Sequence, residues 1–383
     1  MVTGIIAEFD PFHNGHEYLI KEAKKDGDLV LVVLSGNLTQ RGLPSFLPKK
    51  ERAMLAIKAG ADLVIELPSF FSLTSAEGFA RAGVSLLKDA GADAIFFGRE
   101  AKNTGELELA AQTENDLREQ IKALTKTGIG YPAAREIALK EAGKEALIPI
   151  FSNGNDILGV EYIKAKNAIF PNLQLKTVKR TTGRDAISGE FSPASFIRKA
   201  PLESEKYMPN YSFETVLNSI KNGTAAEVNR AEKEIIYFLR TVSAESIKNA
   251  NDIKEGLEFR LKSAAEKAKN YQELIEFAAS KRYTDSRLKR AVLSAFLGRE
   301  KTLKTLLPPY IRVLAMNKNG AELLRKIPNN KTVITKSANG KRLSGFAKTV
   351  FDYEVKASEF RNLCTEKFAE FGEEYKFIPY VEK

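Results

Sequence analysis

The first hundred residues alternate in a way that few folds can accommodate. Four short apolar runs, TGIIAEF, DLVLVVLSG, ADLVIELP and ADAIFFG, are separated by amphipathic stretches such as KKERAMLAIKAG and AEGFARAGVSLLKDAG. Each of these stretches ends in a glycine that can take the left-handed conformation closing a helix. Apolar runs without polar alternation fit strands buried on both faces, and intervening helices make such strands parallel. A further run, LQLKTVK at 173–179, reads as another strand of the same sheet. The expected fold class is α/β: a doubly wound parallel-sheet domain over residues 1–204, then a mainly α-helical, basic domain over residues 205–383. In doubly wound sheets ligands bind outside the carboxyl ends of the strands. Functional residues are therefore expected directly after TGIIAEF, VVLSG, IELP and IFFG.

Beyond residue 205 the pattern becomes that of long amphipathic helices, as in SFETVLNSIKNG and GLEFRLKSAAEKAKNYQELIEFAAS, with no strand alternation until VITKS near 333. Just before that boundary, SPAS predicts a helix starting near Ser192, with a capping hydroxyl followed by a proline at the first helical position.

Charge is distributed unevenly. The chain holds 59 Lys+Arg and 49 Asp+Glu, a net of +10. Residues 1–200 carry 26 basic and 25 acidic side chains, leaving 59 − 26 = 33 and 49 − 25 = 24 for the remainder, a net of +9. Between residues 281 and 350 there are 17 basic residues and three acidic ones, Asp285, Glu300 and Glu322. This is a composition suited to a polyanion, with tyrosine rings available to bases. A solvated face that aids solubility is the other reading. The RNA-binding candidates are Lys281, Arg282, Tyr283, Arg287, Arg290, Tyr310, Arg312 and Lys318. A lone cysteine, Cys364, excludes a disulfide framework and a cysteine metal cluster. The longest apolar run, LVLVVL, is far short of the roughly 20 residues that span a bilayer, and the first residues lack a basic start before an apolar stretch. A cytoplasmic chain without membrane attachment is expected.

The strongest chemical signal is EFDPFHNGHEYLI, directly after the first strand, which contains both histidines of the chain, His13 and His16. Gly15 lets backbone approach a ligand closely, and the helix that follows aims free N–H groups at the same spot. Imidazoles placed there can donate to phosphate oxygens as charge builds in a transition state. Zinc ligation fits less well, because zincin histidines lie four apart on a helix with a glutamate beside the first, and no third ligand is near. No metal ligands are expected, and Glu8 and Asp10 read as residues of a solvated loop. A histidine that merely caps the helix is the structural alternative.

HNGH after the first strand, together with the later FSPASFIR, resembles the paired phosphate motifs of the HIGH-type nucleotidyltransferase superfamily. More closely, EFDPFHNGH, LSGNLTQRG, ADLVIELP, IFFGRE, NDILGVEY, KEGLEFR, KRYTDSRL, PPYIRVLAMNKNG and DYEVKAS, in this order, resemble the tRNA(Met) cytidine acetate ligases. The resemblance implies an ATP-dependent ligase that forms N4-acetylcytidine at the wobble position of elongator tRNA(Met). Acetate would attack the α-phosphate of ATP, pyrophosphate would leave, and the acetyl-adenylate would be held until the RNA amine attacks. Neither half-reaction needs a protein nucleophile, so the work is positioning and charge stabilisation. Magnesium would accompany ATP. Two other functions fit parts of the sequence. A metabolite adenylyltransferase explains HNGH but not the basic half, and a non-catalytic RNA-binding protein with a relic nucleotide site explains the basic half but not the histidines.

Carried over position by position, the resemblance implies an ATP-binding stretch of Ile6, Ala7, Glu8, Phe9, Asp10, Pro11, Phe12, His13, Asn14, Gly15, His16, Glu17, Tyr18 and Leu19, with His13 and His16 acting on the phosphates. It adds Gly98, Asn155 and Arg180 as single ATP contacts, and Ser192, Ser195 and Arg198 as a second phosphate cradle. The superfamily usually begins that second motif with Ile-Ser-Ser-Thr or Ile-Ser-Ala-Thr. Here Pro193 removes one N–H donor. Among substrate-pocket candidates, Gln40 and Arg41, at the rim after the second strand, are candidates for the acetate or cytidine pocket, and Lys49 and Arg52, on the next helix, for phosphate or the RNA end, with a solvated helix face as the alternative.

Overall fold

A computed structural model of the chain describes residues 1–25, 29–180, 189–254, 256–301 and 306–382. Its centre is one sheet in the order β5-β4-β1-β2-β3-β6-β7, with β8 paired to β6. Strands β1 (Val2–Ala7), β2 (Leu29–Ser35), β3 (Leu63–Leu67), β4 (Ala94–Arg99) and β5 (Gln174–Lys179) pair in parallel. Their side chains divide strictly by alternation. Ile5, Val30, Val32, Leu34, Val64 and Phe96 enter the core on one face, while Ile6, Leu31, Val33, Leu63, Ile65, Ile95 and Phe97 enter the core on the other. Both faces are therefore apolar along the whole strand, which is why these segments read as unbroken hydrophobic runs.

Helices α1 (Asn14–Lys24) and α2 (Lys49–Lys58) cover one face, contributing Ile20, Leu55 and Ile57 to its core. Helix α4 (Ala76–Asp89), which follows the single turn α3 (Ser69–Ser72), covers the other with Phe79, Val84 and Leu87. The connections leave β1 in opposite directions, toward β2 on one side and, at the end of the series, β4 on the other. The crevice between β1 and β4 is thus the switch point where doubly wound sheets hold ligands.

The helical segment expected after 205 runs from Asn210–Lys221 to Asp285–Leu297. The chain then returns to the sheet. β6 (Ile311–Met316) lies antiparallel to β3, and β7 (Val333–Ile334) and β8 (Tyr380–Val381) both pair with β6. The expectation of no strand before VITKS is corrected by β6, whose six residues are buried apart from the half-buried Met316. A short apolar run after a long helical region is ambiguous by periodicity alone, and IRVLAM is such a run. Near SPAS, the helix spans Ala194–Lys199 with Pro193 at the N-cap and no side-chain capping bond, so Ser192 lies outside the helix it was expected to cap. Among the described residues no helix is long and apolar enough to cross a membrane.

Candidate active site

Two histidines build the end of β1 into a donor pair. His13 is the N-cap of α1, and its Nδ1 accepts from the Gly15 N–H at 3.1 Å. His16, three residues on, turns back so that its Nδ1 accepts from the His13 N–H at 3.3 Å. This is a reciprocal capping box made of imidazoles instead of a hydroxyl and a carboxylate. The two rings stack with centroids 3.6 Å apart, and Phe9 and Phe12 pack on His16 at 4.8 and 5.7 Å. Burial, then the Arg180 and Arg198 charges, pushes the His13 pKa down to about 3. His16 is held well below the usual histidine range by burial, by His13 and by Arg180. A neutral imidazole that accepts at Nδ1 carries its proton at Nε2. Both rings therefore offer an Nε2–H with no net charge of their own, so the capping role holds and leaves each ring a free donor.

The pocket these rings line also receives Gly15, Tyr18, Leu19, Gly98 and Arg180. Gly98, next to the last residue of β4, lies against Arg180, where a Cβ would stand 3.1 Å from the arginine Cγ and press that side chain aside. The Arg180 Nε is buried without a partner. Burial lowers the Arg180 pKa, opposed by the charges of Glu100 and Asp156. Asn155 donates to Glu100 Oε1 at 2.9 Å, and the neighbouring Asp156 accepts from the Glu100 N–H at 2.8 Å. Asn155 is thus engaged with Glu100 and does not line the pocket. Ser192 lines the pocket, and its buried hydroxyl has no partner. Phe191, Val178 and Lys179 join the lining without having been singled out, although Val178 and Lys179 lie at the carboxyl end of a strand, where the sheet rule points.

Other expected residues serve the loop that carries the motif. Arg198 donates to the Asp10 carbonyl and lies 3.5 Å from its carboxylate, instead of reaching the pocket wall. Asp10 is buried and not solvated as expected, because its carboxylate also accepts from the Phe46 N–H at 2.6 Å. Glu8 accepts from the Gln40 N–H at 2.6 Å, and burial raises its pKa. Asn14 ties the start of α1 to the carbonyls of Glu190 and Lys206 at 2.8 and 3.0 Å, and Glu17 accepts from the Tyr211 hydroxyl. Ser195 is half-buried on the short helix and does not line the pocket. Arg41 is exposed and is not among the residues lining the pocket.

Lys49 and Arg52 are buried in the interior and bonded there, not exposed to a ligand as expected. Lys49 is buried and bonded to Glu66 and Glu374, each at 2.5 Å, with Glu354 at 3.3 Å. Arg52 is fully buried and donates to the carbonyls of Glu8, Gly36 and Leu47. Arg312 completes the Lys49 cluster through Glu66 and Glu374, and Tyr310 is buried beside it, so neither presents a surface to RNA. Glu66, Glu354 and Glu374 bring carboxylate oxygens within 4.8 Å of one another, but Lys49 and Arg312 already occupy that space, and the site does not fit a divalent ion. Arg290 is also buried, paired with Asp252 at 2.8 Å and donating to the Gln40 carbonyl at 3.1 Å. Lys281, Arg282 and Lys318 are exposed, Arg287 is half-buried, and Arg282 and Arg287 flank the buried Tyr283 ring at 5.8 and 4.9 Å.

A parallel sheet with paired, neutral histidines at the N-terminus of its first helix defines a nucleotidyltransferase of the HIGH class. Residues 1–375 match the HIGH Nucleotidyl Transferase family. The tRNA(Met) cytidine acetate ligase of Acetivibrio thermocellus is 36% identical over 98% of both chains, and that of Thermoanaerobacter sp. strain X514 is 34% identical over 94% of this chain and 96% of its own. The crystal structure of Thermotoga maritima TmcAL bound with alpha-thio ATP superposes with a TM-score of 0.90 at 27% identity, over 99% of each chain. The chain belongs to the tRNA(Met) cytidine acetate ligase family.

Proposed function

We propose that this protein is an ATP-dependent ligase that joins acetate to the N4 amine of the wobble cytidine in elongator tRNA(Met), acting in the cytoplasm. The observation that carries the chemistry is the fixed tautomer of the histidine pair: both Nδ1 atoms are taken by backbone N–H groups, which leaves both Nε2–H groups for a ligand. A carboxylate oxygen of acetate attacks the α-phosphorus of ATP, the bond to the bridging oxygen breaks, and pyrophosphate leaves with the electron pair. The Nε2–H donors and Arg180 stabilise the charge that grows on the phosphate oxygens. The cytidine amine then attacks the acyl carbon, AMP departs, and the amine loses a proton. The tight α1 start, with Asn14 and Arg198 anchoring its loop, holds the donors in place without reorganisation.

Residues 1–204 supply the nucleotide site and residues 205–383 the RNA-binding surface in this reading. Magnesium would arrive with the phosphates of ATP. The reading is tested by incubating the protein with ATP, labelled acetate and tRNA and digesting the RNA to nucleosides. ATP-dependent label in N4-acetylcytidine is the expected result. Unlabelled RNA, with adenylate formed on another small acceptor, would replace it with the adenylyltransferase reading.

A further inference from the structure

A second charged surface lies on the same edge of the sheet as the ATP pocket. The parallel strands carry that pocket at their carboxyl ends, beyond β1 and β4. Because β6 runs antiparallel to β3, its first residues reach the same edge, and Arg312 meets Glu66 there. The helix Glu373–Lys376 is pinned to this edge from inside, through Glu374 on Lys49 and Arg312. On its outer side it forms an open groove with the turn Ser337–Arg342, lined by Ala338, Lys341, Lys348, Phe371, Tyr375 and Lys376.

The groove lining holds three lysines and no carboxylate. Lys341 lies 5.0 Å over the Tyr375 ring and has no ion pair among the described residues. Lys348 pairs with Asp352 and Lys376 with Glu370, both part-exposed contacts of the kind that contribute little and can be exchanged for a phosphate. The sequence contains no acidic residue between Glu322 and Asp352, so the turn and its approach carry positive charge only. Phe371 is 73% exposed at the rim, and an open phenyl ring beside lysines is a stacking platform for an unpaired base.

We propose that this groove binds the RNA substrate, with backbone phosphates on Lys341 and Lys376 and an unpaired base on Phe371. The assignment rests on the tRNA reading above. It adds a second candidate RNA contact to the exposed Lys281 and Arg282.

The test is filter binding of an elongator tRNA(Met) transcript to the full-length protein over a range of salt, with ATP binding as the control. In K341A/K376A, affinity is expected to fall about tenfold and the slope of log affinity against log salt to become shallower by roughly 1 to 2, because each phosphate contact contributes about 0.7 to 0.9. In F371A, affinity is expected to fall about tenfold with the slope unchanged, as for a lost stacking contact. All three side chains are solvent-facing, and unchanged ATP binding confirms a folded protein. If the wild-type protein binds the tRNA and both variants match it in affinity and slope, the groove assignment is wrong and the ligase reading stands. If the wild-type protein binds no tRNA, the ligase reading fails and the groove assignment fails with it.

Discussion

His13 and His16 each use Nδ1 to cap the same helical turn, His13 on the Gly15 N–H and His16 on the His13 N–H. One pair of side chains therefore closes the helix start and orients two Nε2–H donors. Replacing either by alanine is expected to lower acetate-dependent pyrophosphate exchange on the order of a hundredfold, the usual cost of one preorganised donor. Asparagine at position 13 keeps an N-cap acceptor, so H13N should recover roughly 1 kcal/mol of stability relative to H13A without recovering the rate. Thermal melts and exchange assays on the three proteins separate the two roles.

The same burial fixes how pH acts. With the folded His13 pKa down at about 3 and the ordinary value at 6.5, the unfolded chain binds more protons across that interval. Stability from this group is therefore complete above pH 6.5 and is lost as pH falls toward 3. The melting temperature should decline over that window, less steeply in H13N. Exchange activity should show no histidine inflection between pH 6 and 8.

Gly98 is the point at which Arg180 crosses the end of β4. A methyl group there would lie 3.1 Å from the arginine Cγ and 3.4 Å from Cδ, tight enough that the arginine side chain must shift by a few tenths of an ångström. G98A is expected to raise KM for ATP about tenfold or more by displacing the guanidinium, with the fold retained. Steady-state kinetics with a matching melt distinguish displacement from unfolding.

Lys49 looks in sequence like a phosphate or RNA contact, and in the structure it neutralises Glu66 and Glu374 in the interior. Its removal leaves buried carboxylates uncompensated. K49A should cost about 3–5 kcal/mol in urea denaturation. The protein that remains folded should bind ATP with unchanged affinity.

Among the residues of the basic segment, exposure decides which are available to a polyanion. K281A/R282A should weaken tRNA binding and flatten its salt dependence, because both side chains face solvent. R312A should instead lower stability, since Arg312 is 0% exposed. Filter binding beside chemical denaturation gives opposite patterns for the two proteins.

The sequence by itself determined the parallel sheet and the place of its nucleotide motif. Those signals are local: strands buried on both faces need unbroken apolar runs such as LVLVVL, and the reciprocal histidine cap lies within four residues of chain. It also carried the ordered motifs that mark the family. Tertiary structure alone decided the fate of individual charges. Lys49 meets Glu354 across 305 residues of chain, Arg290 meets Gln40 across 250, and Arg312 becomes buried only because β6 joins β3. No count of basic residues can distinguish a lysine held among distant carboxylates from one left in water, because a charge is set by its neighbours in space and those neighbours are chosen by the fold.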